Sequence, residues 1–172
     1  MKTGTLGFLV ALVTLGADQA SKLWLLFRYR ILEQGPFALG PYIEVTAVWN
    51  RGISYGLFQQ HSDFGRWLLI GLSLLAALGF CVWLWRGPTR IVALALGLLI
   101  GGALGNAYDR IVYGAVFDFL HIHVGDFSWY VFNVADAAIV AGVVALLYDA
   151  VMPSRDGAGK IAPAGADRVE KL

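Results

Sequence analysis

Four stretches of apolar residues constrain this chain of 172 residues more than any other feature of its sequence. Each approaches or exceeds the length of about 20 residues that an α-helix needs to cross the hydrocarbon core of a membrane. Hydrophobic residues make up 58% of the chain, above the roughly 45–50% that is typical of soluble domains. The sequence therefore predicts four membrane-spanning helices, at approximately 6–27, 67–85, 91–108 and 130–151.

The first apolar stretch also permits another interpretation, a cleaved signal peptide. Lys2, followed by an apolar run and the small residues Gly16 and Ala17, is consistent with that layout. The apolar run, however, resumes after Asp18 and continues to Phe27, which is longer than a signal peptide requires. A retained helix is the favoured interpretation.

Residues 1–152 are expected to form a single integral membrane domain with both ends on one side, because four crossings return the chain to its starting side. That side would hold seven Lys and Arg residues and the opposite side five. The positive-inside rule therefore favours cytoplasmic termini. The polar residues 153–172 are expected to form a disordered cytoplasmic tail.

The segments between the helices predict a small β-sheet on the side opposite the termini. Residues 42–49 contain β-branched and aromatic residues in partial alternation, as strands do. Residues 119–124 and 127–129 flank Gly125-Asp126, a turn signal for a short hairpin. The expected fold class is an all-α membrane protein, a four-helix bundle with a small extracytoplasmic β-sheet.

Two aspartates at the ends of apolar stretches, Asp118 and Asp136, are the main candidates for chemistry. A carboxylate placed in or beside a membrane span costs about 2.5–3.5 kcal/mol on insertion scales, which suggests that the pair is used together. Paired carboxyls that share one proton can activate water for peptide hydrolysis. Their spacing alone does not decide the matter, because many membrane proteins carry acids at helix ends.

Polar residues on the third and fourth helices are expected to surround this pair. Asn106 and Arg110 form a polar stripe with Asp109 beside it, and an amide in an apolar span must find hydrogen-bond partners. The stripe is interpreted as a wall that holds substrate, although Asp109 and Arg110 could instead extend to the membrane surface. Asn133 shares a helix face with Asp136, three residues later.

Two further patterns indicate how the helices pack. Asp18 and Lys22 share a face of the first helix and would exist most easily as an ion pair that points into the bundle. An architectural role is the favoured interpretation, and orientation of a neighbouring site is the functional one. Gly97, Gly101 and Gly105 repeat every four residues, the small-xxx-small pattern that lets helices approach closely.

Several other kinds of site are not supported. Cys81 is the only cysteine, so neither an intrachain disulfide nor a thiolate metal cluster can form. His121 and His123 lack a metal-binding spacing, and exposed loop histidines are the favoured interpretation. Gly52-Ile53-Ser54-Tyr55-Gly56 matches the short pattern G-x-S-x-G, but Ser54 has no evident histidine base, so a serine protease site is not supported. The net charge of +1 and the lack of a basic run give no reason to expect a nucleic-acid surface.

Five sequence blocks together resemble the lipoprotein signal peptidase (signal peptidase II) family, the bacterial membrane aspartyl proteases. They occur in the family's order across nearly the whole chain, at residues 18–22, 50–56, 101–110, 116–119 and 132–136. Each block alone is a weak signal, whereas five in order are highly specific. Ser54 stands where alanine is common in the family, a departure that affects no predicted role.

The resemblance implies a multi-pass protein of the bacterial inner membrane that cuts lipid-modified prolipoproteins just before the diacylglyceryl-cysteine. It implies an extracytoplasmic active site below a β-cradle, cytoplasmic termini, and Asp118 and Asp136 as catalytic residues. The substrate-binding residues that it implies are Asn50, Gly52, Asn106, Arg110 and Asn133. The site-supporting residues that it implies are Asp18, Lys22 and Asp109. No metal or cofactor is implied, and the expected partners are prolipoproteins, membrane lipid and globomycin-type inhibitors.

Two other functions stay open on the residues alone. A small proton-coupled transporter would carry acids near mid-span and an internal repeat of broken helices, whereas the acids here cluster toward one surface. A noncatalytic membrane scaffold would not need the set of Asn106, Asp118, Asn133 and Asp136.

Overall fold

The computed structural model describes residues 2–52, 63–125 and 127–152. Three sequence predictions lie partly or wholly outside the described residues: the tail at 153–172, positions 53–56 of the second sequence block with Ser54, and Asp126 of the predicted turn. The helices are α1 Thr3–Leu23, which continues as a π-helical segment Trp24–Tyr29, then α2 Ile31–Gln34, α3 Asp63–Trp85, α4 Arg90–Val112 and α5 Val134–Val151. The strands are β1 Phe37–Ala38, β2 Ile43–Asn50, β3 Val116–Val124 and β4 Phe127–Ser128.

Four helices of the described chain are long and apolar enough to cross a membrane, which confirms the predicted number. They are Thr3–Tyr29, Asp63–Trp85, Arg90–Val112 and Val134–Val151. The third is longer than the predicted 91–108, because its last turn continues through the polar residues around Asp109. The fourth begins at Val134 rather than at 130, because Asn133 caps it and Phe132 instead bridges to Leu120.

Helix α4 is the centre of the bundle. In its most apolar stretch of 18 residues, 67% of the residues are buried, against 17–28% in the other three spans. Helix α4 packs against α1, α3 and α5. The predicted glycine stripe makes this packing possible. A Cβ at Gly97 would lie 2.5 Å from the carbonyl oxygen of Gly7, and one at Gly101 would lie 2.6 Å from that of Ala11. These distances leave no room for a side chain, so α1 and α4 can approach this closely only through glycine.

A four-stranded antiparallel sheet with the order β1-β2-β3-β4 lies at one end of the bundle. It confirms the predicted strand near 42–49 and the predicted hairpin. Strand β3 begins earlier than predicted and includes Asp118, which pairs with Val48. The prediction that His121 and His123 are exposed loop residues is wrong, because both lie on β3 and are partly buried.

The sheet is held against the end of the first span by apolar packing. Phe117 and Phe119, on one face of β3, pack in a buried cluster with Leu25, Ile31 and Val45. Burial of a large apolar side chain contributes about 1.5–3 kcal/mol, so this cluster strongly fixes which face of β3 turns toward the first span. Because neighbouring strand residues point to opposite faces, Asp118 is directed away from the cluster.

Candidate active site

Strand β3 and helix α5 bring the two predicted aspartates to the same end of the bundle. Asp118 is 1% exposed. Asp136 lies in the first turn of α5, where it forms a capping box with Asn133. In this box the backbone nitrogen of Asp136 donates to Asn133 Oδ1 at 2.9 Å, and the backbone nitrogen of Asn133 donates to Asp136 Oδ2 at 3.3 Å. The helix cap therefore fixes the position of the Asp136 carboxyl.

Two asparagine amides connect the carboxyls. Asn133 Nδ2 donates to Asp118 Oδ1 at 2.6 Å and to Asn106 Oδ1 at 3.2 Å. Asn106 Nδ2 in turn donates to Asp136 Oδ1 at 2.8 Å. Within the described residues, no hydrogen bond joins the two carboxyl groups directly. The orientation of the Asn133 amide is determined by the cap, because its Oδ1 must accept from a backbone N–H and its Nδ2 must then face Asp118.

The second oxygen of Asp118 is held from the opposite side by the end of strand β2. Asn50 Nδ2 donates to Asp118 Oδ2 at 3.0 Å, while the backbone nitrogen of Gly52 donates to Asn50 Oδ1 at 3.0 Å. The guanidinium of Arg110 donates to the carbonyl oxygens of Gly52 at 3.0 Å and Asn106 at 3.2 Å. Arg110 therefore ties strand β2 to helix α4 instead of extending to the membrane surface.

Burial raises the pKa of Asp118 from its ordinary value of 3.8 to about 7, and the nearby charge of Asp136 adds to this effect. The amide donors Asn50 and Asn133 oppose it, because they stabilise the ionised carboxylate. Asp118 is thus close to half protonated at neutral pH. A carboxyl in that state, near a second carboxyl, is suited to general acid–base catalysis.

A buried ion network lies directly behind this pair. Lys22 Nζ is 2.8 Å from Asp18 Oδ2 and 2.7 Å from Asp109 Oδ2, and all three side chains are at most 1% exposed. The predicted ion pair is present, and Asp109 belongs to it rather than to the membrane surface. Asp109 Oδ2 also accepts from the backbone nitrogen of Phe117 at 3.1 Å, and Asp18 Oδ1 from that of Ala135 at 2.9 Å.

These two backbone contacts connect the network to the candidate pair, because Phe117 precedes Asp118 and Ala135 precedes Asp136. The sequence analysis gave no role to Gln19, which completes the network. Its Nε2 donates to Asp109 Oδ1 at 2.9 Å and to Asp18 Oδ2 at 3.0 Å. The signal that could have identified it is an amide inside an apolar span, next to a buried acid.

A cavity of about 220 Å³ lies against these residues. Four of the predicted substrate-binding residues line it together with Asp136. Asn133 is fully buried and contacts the carboxyls, and Asp118 lies behind Asn50. Three wall residues that the sequence analysis did not identify are Leu69, Ser73 and Val116. The described residues that line it are Asn50, Gly52, Leu69, Ser73, Asn106, Arg110, Val116 and Asp136.

Comparison with known families and relatives gives a consistent result. The family model described as signal peptidase (SPase) II matches residues 10–152. A lipoprotein signal peptidase of Methylorubrum extorquens (strain PA1) is 57% identical over 148 residues, which cover 86% of each chain. A protein with the same description from Methylocella silvestris is 57% identical, and the match covers 92% of each chain. Another, from Methylobacterium sp. (strain 4-46), is 51% identical, and the match covers 96% of this chain and 100% of the relative.

Two solved structures, described as bacterial membrane enzymes determined by the in meso method at 2.3 and 1.9 Å resolution, have the same fold. Their TM-scores to this chain are 0.71 and 0.72 at 22% and 21% sequence identity. The first alignment covers 88% of this chain and 93% of that structure, and the second covers 87% and 95%. The likeness shows that this chain shares the fold of these two structures.

Proposed function

This chain belongs to the signal peptidase II family, and we propose that it cleaves its substrate with Asp118 and Asp136 as a pair that shares one proton. As a lipoprotein signal peptidase, it removes signal peptides from prolipoproteins. The observation that carries the proposed mechanism is the connection of the two carboxyls through Asn133 and Asn106, with Asn106 and Asp136 at the wall of one cavity.

In the proposed reaction the two carboxyls have different roles. Asp118, the more buried member, holds the shared proton near neutral pH, and Asp136 faces the cavity as the carboxylate. Asp136 takes a proton from water as the water oxygen attacks the scissile carbonyl carbon, and Asp118 donates its proton to the carbonyl oxygen. Collapse of the tetrahedral intermediate breaks the C–N bond: the leaving nitrogen takes the proton that Asp136 received, and one hydroxyl of the intermediate returns its proton to Asp118. The products are a free carboxyl and a free amine.

The polar wall of the cavity supports binding of an extended peptide. Asn50, Gly52, Asn106 and Arg110 line it and present amide, backbone and guanidinium groups to a ligand. Arg110 already bridges two backbone carbonyls, so its remaining N–H groups are held in a fixed orientation. Asn133, fully buried, acts as a positioning residue for the two carboxyls rather than as a direct substrate contact.

We assign the site to the extracytoplasmic face of the bacterial inner membrane and both termini to the cytoplasm. The four spans put the two ends of the described chain on one side, and the positive-inside rule favours that side as cytoplasmic. Asp118 lies outside the spans and Asp136 lies in the first turn of one, a depth that water can reach. A site at that depth suits a peptide bond beside a diacylglyceryl-cysteine, which lipid anchors at the membrane surface.

Cleavage of a synthetic lipidated prolipoprotein peptide by the purified protein in detergent tests this proposal. We expect a single cut before the diacylglyceryl-cysteine, and inhibition by a globomycin-type cyclic peptide that competes for the cavity. Asp118→Asn and Asp136→Asn should each lower kcat by several orders of magnitude, because members of one catalytic unit act together. A transporter or a scaffold would show no cut at all, and cleavage by either variant at the wild-type rate would refute the assigned pair.

A further inference from the structure

Helix α3 contributes nothing to the five sequence blocks, yet it forms one wall of the cavity. Leu69 and Ser73 line the cavity from α3, four residues apart and therefore on one helix face. They stand against a wall that includes Asn106 and Arg110 of α4 and Asp136 of α5. The catalytic proposal assigns no role to α3, although a substrate that fills this cavity must contact it.

Among the described residues that line the cavity, Ser73 is the only one with a hydroxyl group. A serine within a helix commonly donates to the carbonyl oxygen three or four residues earlier, as Ser21 does to the Asp18 carbonyl at 2.7 Å. Across residues 2–52, 63–125 and 127–152, the Ser73 hydroxyl has no protein partner. A hydroxyl that lacks a partner in a membrane span is unfavourable unless a ligand or water completes its hydrogen bonds.

We propose that Ser73 is a further substrate-binding residue, whose hydroxyl donates a hydrogen bond to a carbonyl oxygen of the bound substrate. This inference rests on the proposed function and extends it to the α3 wall. A lipid-modified peptide offers such an oxygen in two places, the peptide backbone and the ester groups of the diacylglyceryl unit. Both are carbonyl oxygens, which accept hydrogen bonds but cannot donate them, and the hydroxyl of this cavity-lining serine has no acceptor among the described residues.

The experiment compares wild type, Ser73→Ala and Ser73→Thr in the detergent cleavage assay, with rates expressed per folded protein. Removal of one neutral hydrogen bond should lower kcat/KM by about five-fold, and threonine, which keeps the hydroxyl, should restore it to within about two-fold. The matched control is Leu75→Ala, which truncates a side chain on the same helix. Leu75 is 66% exposed and lies on the surface of the bundle. The control should leave kcat/KM unchanged.

A second substrate, with ether links in place of the two esters, identifies the acceptor. If Ser73→Ala is impaired on both substrates, the acceptor is a peptide carbonyl; if it is impaired on the ester substrate alone, the acceptor is an ester carbonyl. Wild-type kcat/KM for Ser73→Ala, or equal losses for alanine and threonine, would overturn the inference. If wild type itself failed to cleave, the proposed function would fail instead, so the two failures are distinguishable.

Discussion

Asn133 holds Asp118 through a hydrogen bond of 2.6 Å, from its side-chain Nδ2 to the carboxyl Oδ1. The same side chain caps α5 through its Oδ1, which accepts from the backbone nitrogen of Asp136. One amide therefore performs two tasks: its oxygen begins the helix that carries one aspartate, and its nitrogen orients the other. A residue that only caps a helix, such as serine, can replace the oxygen but is too short to replace the nitrogen.

This division of tasks predicts different results for two substitutions of Asn133. Asn133→Ser should keep the cap and lose the donor to Asp118. Because Asp118 becomes charged as it gives up its proton in the reaction, the loss should lower kcat/KM roughly 10- to 100-fold, as expected for a hydrogen bond to a charged group. Asn133→Ala should lose both the helix cap and the donor to Asp118. It should therefore also destabilise the fold by about 1 kcal/mol relative to Asn133→Ser. Cleavage kinetics and thermal unfolding of the two variants in the same detergent measure these effects. Wild-type kinetics for Asn133→Ser would contradict the assigned role.

Activity should depend on pH through the protonation of Asp118. Burial raises the pKa of this carboxyl to about 7, and the proposed reaction needs its proton. As pH rises above about 7 the protonated fraction falls, so kcat/KM should decrease by about ten-fold per pH unit on the alkaline limb. The measurement is kcat/KM from pH 5.5 to 9, with the melting temperature followed over the same range. A profile that stays flat through pH 9 would contradict Asp118 as the acid.

Lys22 should be essential for stability because, within the part of the chain that the structure describes, it is the only cation in contact with the buried carboxylates of Asp18 and Asp109. Lys22→Met would leave Asp18 and Asp109 without a counter-ion, a change that typically costs 3–5 kcal/mol. It should also loosen the backbone before each candidate catalytic aspartate and lower cleavage in parallel. The control is Glu33→Gln, which breaks the Arg30–Glu33 ion pair, whose two side chains are each 60% exposed. It should lower the free energy of unfolding by less than about 1 kcal/mol.

Thermal unfolding and cleavage of these two variants show whether the Lys22–Asp18–Asp109 network stabilises the fold or contributes as little as an exposed ion pair. Lys22→Met should melt well below wild type, and Glu33→Gln close to it. Equal melting temperatures for Lys22→Met and wild type would show that the network contributes little.

The sequence predicted the spans well because transfer of apolar side chains into lipid is a local property of the chain. It placed the start of the last helix four residues too early, because Tyr130, Val131 and Phe132 extend the apolar run although they precede the helix. The Asn133-x-x-Asp136 capping pattern was the better boundary signal. The hydrogen-bond chain between the carboxyls could not be predicted, since it joins β3, α4 and α5 through contacts between distant parts of the chain.

Some residues of the candidate site could be identified from the sequence and others could not. Acids and amides in apolar spans were identifiable because each needs a partner there, and this applies to Asp18, Asn106 and Asp109. Leu69, Ser73 and Val116 carry no such signal, because apolar and small residues occur throughout membrane helices. Their place in the cavity wall depends on how α3 and β3 pack against α4, which local pattern does not determine.

Gly102 should be the glycine of α4 most closely coupled to activity. A Cβ at this position would lie 2.6 Å from the carbonyl oxygen of Ala135 and 2.7 Å from Ile139 Cγ1, so Gly102→Ala must push the start of α5 away. Overpacking of this kind costs about 1–3 kcal/mol. Because Ala135 directly precedes Asp136, the displacement should also separate the two carboxyls and lower kcat/KM by more than the loss of stability alone explains.

Gly79→Ala on α3 is the matched control because, among the described residues, no atom beyond its own stretch of helix lies within 4 Å of a Cβ built there. Helix propensity alone should then stabilise that variant by up to about 1 kcal/mol and leave its kinetics unchanged. Thermal unfolding and kcat/KM of the two alanine variants, measured side by side, separate close helix packing from a general intolerance of larger residues. If Gly102→Ala melts and cleaves like Gly79→Ala, helix α5 is not held by its approach to α4, and Asp136 must be positioned by the cap alone.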